Sequence, residues 1–225
     1  MKTHVGRIEK LISELCPDGV EFRALGRLCG FGKVGADKKT KEGQKHALLL
    51  NYMDVVRNQF ISKDILKMKV TATDAQFESC DIKRGDVFIT PTSETKEDIG
   101  ISAVAVENIH NAVYSYHVMR LRPHKSNYTT SCYIAYLFES DELQKQIQKA
   151  ATGITRFGLT KSKWSRLEIP IPPLPIQSEI VKTLDTFREL EAELEAELEA
   201  ELEARKKQYE YYRDKLLNFN ELDGG

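Results

Sequence analysis

The sequence has no long apolar run: none approaches the roughly 18–20 residues that a membrane span needs. It also has no CxxC pair. Its four cysteines, Cys16, Cys29, Cys80 and Cys132, are scattered. That spacing argues against a zinc site or a disulfide framework and for reduced thiols in the cytoplasm. The N-terminus, MKTHVGRIEKLISEL, alternates charge with apolar residues and does not read as a signal peptide. No GxxxxGK phosphate loop, GxGxxG turn, HExxH pair or GxSxG elbow is present. His110, His117 and His124 recur every seven residues. The stretch between the last two reads as strand, so ordinary surface or core histidines are expected rather than a metal site. Glu94, Glu97 and Asp98 read as an acidic loop rather than a metal or acid pair.

A surplus of either charge is lacking as well. The 225 residues hold 33 Lys+Arg and 34 Asp+Glu, a net charge of −1. Taken whole, that argues against a nucleic-acid binder, which carries excess positive charge. The charges are not evenly spread. Residues 1–169 hold 26 basic and 20 acidic side chains, a balance of +6, and residues 170–225 hold 7 and 14, a balance of −7. Such asymmetry points to two parts with different partners. The length fits one large domain, or one domain plus an extension, and the 41% apolar fraction fits a globular body.

The break between the parts has its own signature. Residues 169–175 read IPIPPLP, with four prolines. Proline fixes φ, lacks an N–H and drives the preceding residue towards extended geometry, so this stretch reads as a stiff connector. From Ile176 to Asn218 there is neither Pro nor Gly. Ile180, Val181, Leu184 and Phe187 fall at helical spacing. Then LEAE repeats, placing leucine at 190, 194, 198 and 202. Ala, Leu and Glu are strong helix formers, so a single helix over 176–219 is expected, about 60 Å long at ~1.5 Å per residue. Residues 220–225 read as a flexible tail.

A four-residue repeat turns the leucine stripe by about 40° per step, unlike a strict heptad seam. The glutamates from Glu189 to Glu203 repel at i,i+4, each pair costing roughly 0.2–0.5 kcal/mol. Only Arg205 and Lys207 relieve them. Such a helix calls for a partner that supplies apolar contact and positive charge, and Ile180, Leu184, Phe187, Leu190, Leu194, Leu198 and Leu202 are its expected contact residues.

Residues 1–168 read as mixed α and β. An amphipathic helix over 5–15 ends at Pro17-Asp18-Gly19. Strand-like runs follow at HALLLNYMDV, DVFITP, GISAVAV, AVYSYHVMRLRP and RLEIPI, separated by turns such as Lys83-Arg84-Gly85-Asp86. Residues 129–150 read as one helix, with Thr129, Thr130 and Ser131 as cap-type residues. The expected class is α+β: one mixed α/β domain followed by a long coiled-coil-type helix.

Three segments of the body carry groups suited to nucleic acid. In Lys33–Lys45, Lys33, Lys38, Lys39, Lys41 and Lys45 sit on a glycine-containing loop, and such lysines neutralise phosphates without reading sequence. Thr90–Lys96 is rich in hydroxyls, with Thr92, Ser93 and Lys96 as candidates. Thr152–Lys163 offers Thr155, Arg156 and Lys161 beside Phe157. Arginine reads guanine edges bidentately, while hydroxyls and lysines hold backbone or bases.

The order of segments is recognisable. Residues 16–22 (CPDGVEF), 84–90 (RGDVFIT), 151–159 beginning Ala151-Thr152-Gly153, and 169–185 (IPIPPLPIQSEIVKTLD), followed by a long helix, resemble the specificity (S) subunits of bacterial type I restriction-modification systems. The resemblance runs along nearly the whole chain, and residues 169–185 are its most specific part.

The resemblance implies a target-recognition domain that reads DNA sequence and a spacer helix that scaffolds the modification (methyltransferase) subunits. It implies no catalytic centre and no cofactor in this chain, with S-adenosylmethionine expected on the modification subunit. In keeping with that, the chain lacks an Asn-Pro-Pro-Tyr-type methyltransferase motif. A typical S subunit has two recognition domains and two spacer helices. This chain has one of each, so it looks like a half-sized form, and its Met1 and N-terminal helix argue mildly against a fragment. The expected partners are double-stranded DNA, a second copy or another half S subunit, modification subunits and, where present, restriction subunits. The expected location is the bacterial cytoplasm. A two-fold pair with antiparallel helices is the simplest assembly, and it should bind two inverted half-sites. Two other readings stay open: a coiled-coil scaffold without DNA specificity, and an enzyme, such as a nuclease, with an unrecognised site.

Overall fold

The computed structural model describes residues 2–124 and 128–219; the expected tail, 220–225, lies outside them. In chain order the elements are α1 (Lys2–Leu15), β1 (Phe22–Ala24), α2 (Leu25–Leu28), β2 (Cys29–Phe31), β3 (Lys45–Leu50), α3 (Tyr52–Arg57), β4 (Phe60–Ile61), β5 (Met68–Ala72), α4 (Asp74–Ser79) and β6 (Val87–Ile89). There follow β7 (Thr92–Ser93), β8 (Ser102–Ala105), β9 (Ala112–Tyr114), β10 (Met119–Pro123), α5 (Ser131–Phe138), α6 (Asp141–Ala150), β11 (Thr152–Gly153), β12 (Phe157–Gly158), α7 (Lys161–Ser165), β13 (Glu168–Pro170) and α8 (Leu174–Leu217). The chain forms two compact units, one up to Val181 and one from Lys182 onward.

The first unit is built on a five-stranded sheet in the order β2-β10-β6-β8-β4. Only the β4–β8 pair in it is parallel. A second sheet, β5-β3-β9, pairs β3 antiparallel to β5 and parallel to β9. The central strand β6 shows why the unit holds together. Side chains alternate faces along a strand. Val87 and Ile89 join the core formed with Ile134, Phe138 and Trp164, while Phe88, between them, joins the core formed with Leu49, Val113 and Tyr114. Each face of β6 is therefore buried against a different set of elements.

Several expected elements differ in detail. The run HALLLNYMDV is a strand only as far as Leu50. Asn51 then starts α3 with a capping box: its side chain accepts from Met53 N and Asp54 N, and the Asp54 carboxylate accepts from Asn51 N. Two satisfied donors override the strand pattern. The run AVYSYHVMRLRP is two strands, β9 and β10. Between them Val118 N donates to Ser115 O, and the buried Ser115 hydroxyl accepts from His117 N. That hydroxyl turn lifts Tyr116 and His117 out of the sheet. Residues 129–150 are two helices, because Ser140 caps α6 through Leu143 N. Thr130 caps α5 through Tyr133 N.

The proline stretch is only partly a connector. Its first residues form β13, antiparallel to β1. Helix α8 begins at Leu174, earlier than the expected Ile176, with Pro175 in the first turn, where a missing N–H costs nothing. The buried Gln177 side chain anchors this start. Its amide donates to Tyr128 O (2.6 Å) and Pro172 O (2.8 Å), and its carbonyl accepts from Thr130 N (3.2 Å). From Glu189 onward α8 is exposed, and Leu190, Leu194, Leu198 and Leu202 retain 53–59% of their surface.

Candidate nucleic-acid interface

Two of the three polar segments meet in one small ribbon. The order is β11-β12-β7, with Phe157 opposite Ser93 and Gly158 opposite Thr92. A three-residue loop, Ile154-Thr155-Arg156, closes the β11–β12 hairpin. Gly153 has φ +149°, and a Cβ there would lie 1.9 Å from Arg156 O, so this closure accepts only glycine. The loop before β7 is clipped by the buried Thr90. Its hydroxyl donates to Asp98 O (2.9 Å) and accepts from Gly100 N and Ile101 N. After β7, Thr95 Oγ1 donates to the Asp98 carboxylate at 2.5 Å.

The candidate side chains meet on this ribbon. Arg156 Nε donates to Thr92 Oγ1 at 3.1 Å. Lys96 Nζ lies over the Phe157 ring at 5.5 Å, and Lys161 Nζ over the Phe31 ring at 5.9 Å. Thr155 and Arg156 are exposed. Ser93 is buried, so its hydroxyl faces into the body rather than outward.

The lysine loop reaches the same place through Lys38. His117 has its pKa held below the usual imidazole value, first by burial and then by the charges of Lys38 and Arg156. Tyr116 N donates to Ala36 O at 3.1 Å, which holds the loop two residues before Lys38 against the Tyr116–His117 turn. The loop's path is fixed by Gly35, where a Cβ would lie 2.4 Å from Ser115 O and Tyr114 O, and by Ala36, which bridges to Ser115. Tyr114 OH donates to Lys33 O at 2.8 Å.

The other lysines spread along the loop. Lys39 is exposed, and Lys41 N donates to Thr71 Oγ1 near the start of β3. Lys45 pairs with Asp74 at 2.6 Å. It stands at the opposite end of β3 from Leu50, whose carbonyl accepts from Ser115 N. Five residues of strand, about 17 Å, therefore separate Lys45 from the His117 end. Lys45 is not part of the cluster around Arg156.

The structure adds residues that sequence reasoning passed over. Tyr116 and His117 stack with ring centroids 4.0 Å apart, and Tyr116 is exposed. Their signal was an adjacent polar aromatic pair inside an otherwise apolar run. Phe31, at the end of β2, provides the second aromatic bed for a lysine. The ribbon thus combines Lys96 and Arg156 with Phe157 and the Thr92 hydroxyl, while Lys161 lies on Phe31 and Tyr116 is exposed beside the lysine loop. Cations with aromatic and hydroxyl neighbours can hold phosphates and approach base edges.

A separate ionic network ties β10 to the turn before β6, with Asp81 on the side of Lys45 and Asp74. Arg122 makes a bidentate contact with the buried Asp86 (2.6 and 2.7 Å) and a further one with Asp81 (3.0 Å). Arg120 also pairs with Asp81 and lies over the Tyr114 ring. Asp81 titrates below the usual carboxylate range: burial pushes it up, but Lys83, Arg122 and Arg120 outweigh that. Among the described residues no group of His, Cys, Asp and Glu could hold a metal ion, and no helix is long and apolar enough to cross a membrane.

A family model described as "Type I restriction modification DNA specificity domain" matches residues 17–204. The specificity subunit of the type I restriction enzyme EcoprrI from Escherichia coli is 36% identical over 158 residues, covering 65% of this chain and 38% of that protein. The crystal structure of the HsdS subunit from Thermoanaerobacter tengcongensis superposes with a TM-score of 0.54 at 19% identity, covering 86% of this chain and 45% of that one. A chain from a structure of complex assembly and conformational transition in the type I R-M system reaches a TM-score of 0.61 at 18% identity, covering 93% and 52%. These structural likenesses concern the fold. The chain spans about half the length of the solved chains and less of the curated relative.

Proposed function

This chain belongs to the type I restriction-modification DNA specificity family, and we propose that it is the sequence-reading subunit of a type I methyltransferase complex, binding one DNA half-site per copy. The observation that supports this reading is the ribbon on which Thr92, Lys96, Arg156 and Phe157 meet, with the Lys33–Lys45 loop held against Tyr116 through Ala36. Lys161 stands over Phe31 on β2. Lys38, Lys96 and Lys161 supply phosphate affinity, and Thr92, Thr155 and Arg156 approach bases.

The second unit serves assembly. Leu190, Leu194, Leu198 and Leu202 leave an apolar stripe exposed between rows of glutamates, and a large exposed apolar patch marks an interaction site. A second copy, or another half S subunit, covers that stripe, and the helix scaffolds the modification subunits. Restriction subunits join where the system has them. The chain itself carries out no catalytic step. S-adenosylmethionine is bound by the modification subunit, and the complex acts on DNA in the bacterial cytoplasm.

The test is duplex binding by the purified full chain, with mixed genomic fragments at several salt concentrations. Sequence-dependent retention that weakens steeply with salt supports the reading. Absence of any DNA retention, with self-association intact, supports the coiled-coil scaffold instead.

A further inference from the structure

At the tip of the β11–β12 hairpin stands an apolar side chain with no apolar neighbours to explain it. Ile154 is 93% exposed, more than Val34 or any other large hydrophobic residue among those described. Its position is fixed. The loop holds only Ile154, Thr155 and Arg156, and the left-handed backbone of Gly153 closes it tightly. The hairpin is backed by β7 as a third strand, and Arg156 is tied to Thr92. An isoleucine on a mobile tail costs little to leave exposed. One placed at the apex of a tightly closed hairpin, with Arg156 beside it, stands where a ligand of that face would meet it.

We propose that Ile154 is a specificity-determining residue that meets the C5-methyl group of a thymine in the major groove. The proposal rests on the DNA-reading function argued above. A two-stranded ribbon fits the major groove, and thymine is the one base that offers a methyl group there. The charge around Ile154 selects the same occupant. Arg156 adjoins it, and Lys96 and Lys161 lie on Phe157 and Phe31 of the same cluster. A polyanion is therefore drawn to the face, and the apolar tip meets the apolar group that the polyanion displays.

The experiment uses the full chain and the duplex it selects from a random-sequence library. That duplex is compared with the same sequence carrying deoxyuridine in place of each thymine in turn, which removes only the methyl. Burying one methyl-sized group contributes enough for about a four-fold change in affinity. Wild type should lose about that factor at one position. Ile154→Ala should bind both duplexes alike, and Ile154→Val should keep the preference. Ile154 touches no core, so the melting temperature of both variants should match wild type. A selected sequence without thymine in the protected region, or equal wild-type affinity for every deoxyuridine duplex, overturns the proposal while leaving DNA reading intact. Failure of wild type to select any sequence overturns the underlying function instead.

Discussion

Arg156 Nε donates to Thr92 Oγ1 across 64 residues of sequence, at 3.1 Å. The bond joins two segments that, taken singly, look like ordinary polar loops. It leaves the far edge of the guanidinium for a ligand and fixes its direction. A pre-set arginine loses less freedom on binding than a free one.

Arg156→Ala and Lys38→Ala should therefore fail differently. Removing Arg156 should cost about 1–3 kcal/mol of discrimination between target and non-target duplex, with non-specific binding changed much less. Removing Lys38 should weaken all duplexes alike and reduce the slope of log affinity against log salt by about 0.9. Fluorescence anisotropy with a selected and a scrambled duplex, at several salt concentrations, separates the two. The same loss for both duplexes in Arg156→Ala would make it a phosphate contact.

His117 sets a pH dependence. Burial and the nearby Lys38 and Arg156 hold it below the ordinary imidazole value, so the free protein carries it neutral at pH 7. Protonation would add positive charge to a face proposed to meet phosphate, so DNA binding should take up a proton. Affinity should rise as the pH falls towards the lowered imidazole value and level off below it. His117→Gln should remove the rise. Binding curves between pH 8 and pH 5.5 check this, and a rise that persists in the variant assigns it to another group.

The sequence displayed the two-part plan because composition carries it: the prolines of 169–175, the repeat from Leu190 and the split in charge are all local features. The three candidate segments were legible for the same reason, since lysines, hydroxyls and Arg156 between glycines stand out in a chain. Their convergence was not legible. It depends on β7 pairing with β12, a two-residue ladder without a hydrophobic pattern of its own. Tyr116 and His117 were hidden because a turn built on the Ser115 hydroxyl lies inside an apolar run. The start of α8 was blurred because Pro175 reads as a helix breaker, although a first turn tolerates it. Gln177 reads in sequence as a first-turn helix residue and as part of the family resemblance, and the structure gives it a further task in three hydrogen bonds.

The ion pairs that Arg120 and Arg122 make with Asp81 and Asp86 should govern stability. Arg122→Leu leaves Asp86 buried without its bidentate partner and should destabilise the fold by about 3–5 kcal/mol. Because Asp81 titrates below its ordinary value, the stability it contributes is fully present above about pH 4. That stability is lost as the pH falls through the lowered value. Urea unfolding at pH 7, repeated down to pH 2, should show the acid loss in wild type and a smaller one in Arg122→Leu. Equal acid sensitivity in the two would place the effect on other carboxylates.

The repeat in α8 should act as a ruler. One LEAE unit adds about 6 Å and about 40° of rotation, against ~3.4 Å of rise per base pair. Deleting Leu194–Glu197 should shorten the preferred spacer between half-sites while leaving each half-site sequence unchanged. Selection from a library with variable spacers reads this out, and an unchanged spacer would remove α8 from the recognition geometry.

The face around Arg156 should decide which DNA the complex modifies. That is tested most directly by mapping methylated sites genome-wide in cells carrying this chain and its modification subunit. Wild type should mark a two-part palindromic motif, and Arg156→Ala should relax that motif at the same position in both halves. A motif left identical by Arg156→Ala, with methylation still dependent on this chain, would contradict the account.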